Sequence, residues 1–516
     1  MTSAFTGTGA FTFGLDETSI PFLALFAVVW LLSGLYTAIT TPAADRPRLF
    51  AYYVPSAVGG IGVAAASDAV SFYLCFALMA LPAWGLITHT RSAESRRAGA
   101  IYLTLTVVGE ALLLAALVLL VVETGTTSLP GYRDAIAGLP SAALITTLVL
   151  ATIALKIGML PLSGILSLTY TYTPAGPAAA LAGASTKVGA LAMLRLLPAG
   201  GMPPGWADAV MVLGLTTAFG AAVLGVLTDH PRAVLGYSSA SQMGLVLIAA
   251  GAGLSDTNAA TLAYGAVVAY ALHHGLAKAA LVLGDDVVQR FSGRRARSVA
   301  LAALGLPALA LVGAPLTSGF VAKYALKDAI HAVGGDISAA VYVGLSWAAV
   351  GTAALMLRFF ALTLQPRETT LGNARGAALV WGLLLMLVAT ATWMWPSDWN
   401  QHAISSAFSL SSLWAALWPG LIALGVWGVI ARVVPGGTRY RAVVEPGDLL
   451  TMVARGASRW AARADRPRPV AAGRSEARSS SLAEPLLGAE RGYLRWTIAA
   501  TTFVLVALAL AWLALG

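Results

Sequence analysis

A single cysteine, Cys75, stands among the chain's 516 residues. It falls in an apolar run, so an intramolecular disulfide and a cysteine-based metal site are both excluded. No P-loop, dinucleotide, HExxH or haem-attachment pattern occurs. No cofactor or metal is therefore expected. Any redox chemistry would belong to a partner, and the chain reads as non-catalytic by itself. Charge is just as scarce: 11% of residues are charged, against about 25% in ordinary soluble domains. That excludes a soluble globular protein. The first 19 residues lack a basic start and carry Asp16 and Glu17, so no cleavable leader is expected.

What the chain does have is apolar length. Hydrophobic residues make up 58% of it, and the mean hydropathy is +0.78. Apolar runs of about 20 residues suffice to cross a bilayer as helices. About 14 such runs are present, near 20–40, 48–66, 69–88, 99–122, 141–166, 174–197, 206–228, 235–252, 260–283, 297–325, 339–364, 377–395, 413–434 and 493–515. The expected fold is an all-α polytopic membrane protein rather than a barrel of short alternating strands.

The formal charge of +9 reflects topology and not a nucleic-acid surface. Basic residues gather in alternate loops: Arg46 and Arg48; Arg91, Arg96 and Arg97; Arg232; Arg290, Arg294, Arg295 and Arg297; Arg367 and Arg375; then Arg439 to Arg491. The intervening loops hold little beyond Arg133 and Lys327. By the positive-inside rule the basic loops are cytoplasmic. That places both termini outside a multi-pass protein of a bacterial-type cytoplasmic (inner) membrane.

Two of the runs are interrupted. The fifth contains Pro161 and Gly164 in PLSG, and the tenth contains Pro315 and Gly319 in PLTSG. Proline removes an amide donor and breaks the helix. Non-helical backbone at membrane depth survives only inside protein or beside a wet cavity. Five spans separate the breaks, so the two broken helices run in opposite directions. The pattern predicts two inverted five-helix repeats, with ion sites near the midplane. The organisation is then a first helix in 1–47, repeats in 48–198 and 199–365, and further helices in 366–434. A basic segment follows in 435–492, and a lone terminal span in 493–516. Within the basic segment, residues 447–463 can form an amphipathic surface helix against lipid, and 465–490 have the composition of a linker.

Ionisable residues inside the spans carry the chemistry. Each such charge costs at least about 2.5–3.5 kcal/mol at the bilayer centre, and the usual return is an ion or proton path. Glu110, Lys156, Lys187, His274, Lys278 and Lys323 outline one polar axis. His274 and Lys278, at i and i+4, share a helix face. His273 points elsewhere and reads as structural. Arg195, at the end of its span, reads as a side chain reaching the interface, and Asp285 and Asp286 as residues at the aqueous boundary. Glu110 is the one acid deep in an early span and the natural partner for a lysine.

Four stretches resemble the antiporter-like subunits shared by respiratory complex I, Mrp-type cation/proton antiporters and membrane-bound hydrogenases. They are LKIGMLPLSGILSLTYTYTPAGPAAALAGASTKVGALAMLR (155–195), DHPRAVLGYSSASQMG (229–244), HHGLAKAALVL (273–283) and LALVGAPLTSGFVAKYAL (309–326). The resemblance implies that Lys156, Lys187, Lys278 and Lys323 lie on a proton pathway with His274 as relay. It implies partners that are other membrane subunits of a larger complex, with protons, and Na+ in the exchanging members, as the transported ions. Relative to the family, two N-terminal helices are missing. The membrane glutamate is also missing: CFALMALPAWG (75–85) places Ala77 in its position, leaving Glu110 as its substitute. Three functions stay open: a proton- or cation-translocating subunit, a proton-coupling subunit for inorganic-carbon uptake, or a scaffold that no longer conducts.

Overall fold

A computed structural model describes residues 3–6, 11–367, 373–391, 409–433, 444–447 and 450. A short hairpin opens it, β1 (Ser3–Thr6) paired antiparallel with β2 (Thr12–Leu15). Helices follow: α1 (Ser19–Thr40), α2 (Arg46–Ala65), α3 (Ala69–Ile87), α4 (Ala93–Thr124), α5 (Tyr132–Ala135), α6 (Ala142–Ile157), α7 (Gly164–Tyr172), α8 (Ala175–Ala180), α9 (Lys187–Leu196), α10 (Trp206–Val226), α11 (Pro231–Ala252) and α12 (Thr257–Arg290). The rest are α13 (Arg294–Val312), α14 (Ser318–Val333), α15 (Gly335–Thr363), α16 (Ala374–Thr390) and α17 (Leu410–Val433).

Among the described residues, ten helical segments are long and apolar enough to cross a membrane. Over the described residues, each run expected from the sequence up to 413–434 overlaps helix, with a break inside 141–166 and inside 297–325. Three of those runs fall outside the ten: α2, the interrupted pair α6–α7, and the shorter α16. The expected terminal span at 493–515 lies outside the described residues, as does nearly all of the basic segment 435–492 with its amphipathic stretch 447–463.

Local signals set the helix ends. Asp68 caps α3 by accepting from the Ser71 amide at 2.8 Å and also accepts from the Thr12 amide at 2.6 Å, which ties the hairpin to the bundle. Ser92 caps α4 and Asp256 caps α12. Side-chain acceptors of this kind satisfy amides that a helix start leaves open. α4 closes on Gly125, whose φ of 67° is the left-handed value of a helix C-terminus.

Burial is graded across the bundle. The segment from α8 through α9, and α11, are wholly enclosed by protein; α12 is nearly so, while α17 lies almost entirely at the perimeter. The enclosed helices carry Lys187, His274 and Lys278. These charges therefore face protein and not lipid, the arrangement that makes intramembrane charge tolerable. Small residues create the enclosure. A Cβ at Gly214 would come within 2.6 Å of the Gly244 carbonyl oxygen, and one at Gly244 within 2.6 Å of the Gly214 oxygen, so α10 and α11 touch backbone to backbone.

Both expected breaks are present. α6 ends on Gly158 at φ 66°, and the chain reaches α7 only at Gly164. α13 ends on Gly313 at φ 84°, and α14 begins at Ser318. The two prolines lie in the interruptions. Gly164 and Gly319 do not: each sits in the first turn of the following half-helix, where it permits a close approach. Gly164 meets the backbone of Gly447, from the segment after α17, and the Val444 amide of that segment donates to the Leu227 carbonyl at 3.4 Å.

Candidate functional site

The titratable residues of the axis fall into two groups, one at each break, joined through α12. At the first break, Lys156 sits in the last turn of α6. Its ammonium lies 4.8 Å from the centre of the Phe76 ring. The ring face supplies a cation–π contact to the ammonium. Glu110, on α4, is buried, and its Oε1 has no hydrogen-bond partner. It and Lys156 interact electrostatically without approaching to ion-pair distance. Glu110 is thus the nearby acid anticipated from the sequence, but it is not in contact.

A cavity of about 40 Å³ opens beside Lys156, lined among others by Tyr102, Thr152, Tyr170, Ser185 and Thr186. A water needs about 10–15 Å³ of such space and two or more polar partners. The cavity meets both conditions and runs from Lys156 to Thr186, whose Oγ1 accepts a 2.9 Å hydrogen bond from the Lys187 ammonium.

Lys187 owes its position to an irregularity. Residues Leu181–Ser185 form a π-helical turn between α8 and α9. Such wide turns misalign the backbone ladder and are common at functional sites. Here the Ala182 carbonyl accepts from Lys187 Nζ at 2.6 Å. The same turn carries Gly183, which crosses Gly275 of α12. A Cβ on Gly183 would meet the Gly275 oxygen at 2.9 Å, and one on Gly275 the Gly183 oxygen at 2.7 Å. This crossing brings the Lys187 turn against His274.

His274 is fully buried, and neither ring nitrogen has a hydrogen-bond partner. Lys278, one turn on and also fully buried, donates to the Leu235 carbonyl of α11 at 3.1 Å. On α7 and α11, which pack together near Gly236, the hydroxyls of Ser167 and Ser238 are buried without protein hydrogen-bond partners. Buried hydroxyls of this kind are the usual hosts of ordered water.

At the second break, Lys323 donates to the Val312 carbonyl at the end of α13. It lines a second cavity of about 100 Å³ with Tyr324, Lys327 and Ser346, against α15 and α17. Lys327 lies 5.4 Å from the Tyr342 ring. Lys323 thus faces a chamber separate from the Lys156 cavity.

Three residues depart from their sequence readings. Arg195 does not reach for an interface: it forms a bidentate pair with Asp16 at 2.5 and 2.7 Å and donates to Ser19 Oγ at 2.9 Å. Asp285 and Asp286 do not end their helix and are not open to solvent: α12 continues past them to Arg290 and both are buried. Asp286 accepts from Tyr36 and from Arg290 at 2.6 Å. Asp285 pairs with Arg367 and accepts from Thr363 at 3.0 Å. Arg232 approaches both carboxylates, at 3.7 and 3.9 Å. Apart from the i,i+4 pair of Asp286 with Arg290, the partners lie too far along the chain for local sequence to reveal them. The π turn and the Gly183–Gly275 crossing also escaped the sequence reading. The run of small residues GAS before Lys187 was their one visible trace.

Comparison with known proteins agrees with this architecture. The family described as NADH:quinone oxidoreductase/Mrp antiporter, TM, matches residues 66–346. NADH-quinone oxidoreductase subunit N of Cereibacter sphaeroides is 30% identical over 363 residues, covering 66% of this chain and 77% of the relative. Subunit L of the same enzyme from Mycobacterium tuberculosis is 28% identical over 407 residues, covering 73% of this chain and 62% of the relative. Among solved structures, a chain of the Mrp complex from Dietzia sp. DQ12-45-1b superposes with a TM-score of 0.70 at 21% identity, over 97% of this chain and 57% of that one. A chain of the archaeal membrane-bound sulfane sulfur reductase superposes with a TM-score of 0.66 at 20% identity, over 98% of this chain and 91% of that one.

Proposed function

The chain belongs to the NADH:quinone oxidoreductase/Mrp antiporter transmembrane family, and on that premise we propose that it translocates protons along Glu110, Lys156, Lys187, His274, Lys278 and Lys323. It does so as one membrane subunit of a multisubunit complex. The single observation that carries this reading is the succession of lysines, Lys187 and Lys278 buried and Lys156 and Lys323 half-buried, held by carbonyls, a hydroxyl and an aromatic ring instead of carboxylates. A lysine whose ammonium is neutralised by a contacting acid is a brace. A lysine held by neutral groups, beside a water-sized cavity, is free to lose and regain its proton.

The steps follow from the contacts. A proton leaving Lys156 enters the cavity towards Thr186 and Lys187. Lys187 hands it across the Gly183–Gly275 crossing to His274, which can accept at one ring nitrogen and release from the other. His274 and Lys278 share a face of α12, and Lys323 completes the axis at the second break. The breaks supply the backbone carbonyls and the freedom of movement that a continuous helix lacks. We further propose the inverted arrangement of the two repeats, the cytoplasmic membrane as location, and termini on its outer side. The partners are other membrane subunits, with lipid around the perimeter; Na+ is a second candidate ion.

A scaffold role is the reading that Ala77 favours, since the usual carboxylate beside Lys156 is gone. Glu110 separates the two. Glu110→Gln keeps the shape and removes the charge. On the transport reading, proton flux into vesicles under an imposed membrane potential falls about a hundredfold, the lower end of what positioned acid–base groups contribute. Near-normal flux would take Glu110 off the path, and unchanged flux in Lys156→Ala as well would leave only the scaffold. Affinity purification identifies the complex. Iron–sulfur or small antiporter subunits are expected; one large soluble zinc protein would point instead to inorganic-carbon uptake.

A further inference from the structure

Successive residues on an α-helix project about 100° apart, so the two histidines of α12 look at different neighbours. His274 faces the Lys187 turn. His273 faces the second break. Its Nδ1 lies 2.9 Å from Ser318 Oγ, at the first position of α14. Its Nε2 is buried without a hydrogen-bond partner. Next to Ser318, Gly319 gives the ring its space: a Cβ there would fall 2.9 Å from His273 Nε2 and 1.9 Å from the Ala310 carbonyl oxygen. Tyr270 packs edge-on against the ring at 6.0 Å.

A histidine that merely braces two helices uses its polar atoms for the brace, because an orphaned buried nitrogen is costly. His273 spends one nitrogen on the broken helix and leaves the other unmatched. Lys187 and Lys323 both act electrostatically on it, which places it between the two halves of the axis. Lys278, by contrast, is turned to the Leu235 carbonyl of α11.

We propose that His273 is a relay residue, joining the group around Lys187, His274 and Lys278 to Lys323 across the second break. The ring takes a proton at one nitrogen and releases one from the other, with the Ser318 hydroxyl as the adjoining carrier, so nothing is consumed. The role rests on proton conduction along the axis.

The test uses the full chain co-expressed with its native partner subunits, in membrane vesicles driven by an imposed potential. His273→Asn retains a hydrogen-bonding atom near the Nδ1 position for Ser318 but cannot be protonated. Its flux per folded molecule is expected to fall at least about tenfold. Ser318→Ala is expected to give a smaller loss, and the double variant to be no worse than His273→Asn, because both lie on one route. A bracing role would lower the amount of folded protein and leave the flux per molecule unchanged. Lys278→Met runs in parallel as the control on conduction. If it loses flux while His273→Asn keeps more than half, the relay is overturned and the axis stands; if neither loses flux, both fall. Should His273→Asn not accumulate, His273→Ala is assayed with added imidazole. Dose-dependent recovery of flux is expected, and no recovery overturns the proposal.

Discussion

Lys278→Met should bring proton flux down about a hundredfold or more while making the bundle no less stable. The two halves of that expectation have one cause. Lys278 is fully buried, and its one protein hydrogen bond goes to the Leu235 carbonyl. Among the described residues no carboxylate approaches it to ion-pair distance, so they leave its charge uncompensated. Methionine fills nearly the same volume without charge and removes a burial cost of at least about 2.5–3.5 kcal/mol. The Leu235 oxygen loses a side-chain donor but remains inside the ladder of α11. Stability therefore holds or rises, and transport loses a titrating group, for which about 10²–10⁴-fold is the usual scale. Lys278→Arg sharpens the test. The guanidinium keeps the charge but cannot release its proton, so flux is lost there too. Flux in vesicles and thermal unfolding of the purified variants, measured together, decide the matter. A variant that melts early yet conducts normally would make Lys278 a brace.

The contrast between Lys278 and Arg195 explains what could be read in the sequence. Helix positions follow from hydropathy, and Pro161 and Pro315 mark the breaks without any tertiary information. The spacing of His274 and Lys278 likewise puts them on one face. Which neighbour a face meets is a different matter. Arg195 and its partner Asp16 are 179 residues apart, and a lone arginine at a helix end reads as one reaching for water. Asp285 sits 82 residues before Arg367. Lys187 depends on a π turn that has no strong residue signature, and on a glycine crossing visible only once both helices are in place. His273 reads as structural in the sequence for the same reason: its face is calculable, but not that Ser318 meets it. Apolar periodicity thus predicts the spans, while the pairing of buried polar groups waits on packing.

The second large effect belongs to stability. Asp285→Ala should destabilise the protein by about 3 kcal/mol and leave flux per folded molecule unchanged. Asp285 is 1% exposed. Together with Asp286 it faces three guanidiniums, those of Arg232, Arg290 and Arg367. The cluster joins the start of α11, the end of α12 and the chain beyond α15, with Tyr36 of α1 donating into it at 2.6 Å. Two carboxylates against three cations is already a cationic balance. Removing one leaves a single acid among three arginines and an unpaired donor on Thr363. Breaking a buried pair from one side costs about 3–5 kcal/mol. The lower figure applies because the Arg367 side chain is 29% exposed and can turn partly to water. For the same reason Arg367→Ala should cost less than Asp285→Ala. The double variant should cost less than the sum of the two, since the second change removes the charge that the first one strands. The cluster lies apart from the cavity beside Lys156 and from the Lys187–His274 crossing, so the flux that survives should be normal for each folded molecule. Thermal unfolding in detergent with flux normalised to membrane content checks each part. If Asp285→Ala melts like the parent, the carboxylate is not holding these helix ends together. If flux per molecule collapses while the melting point holds, the cluster belongs to the proton path.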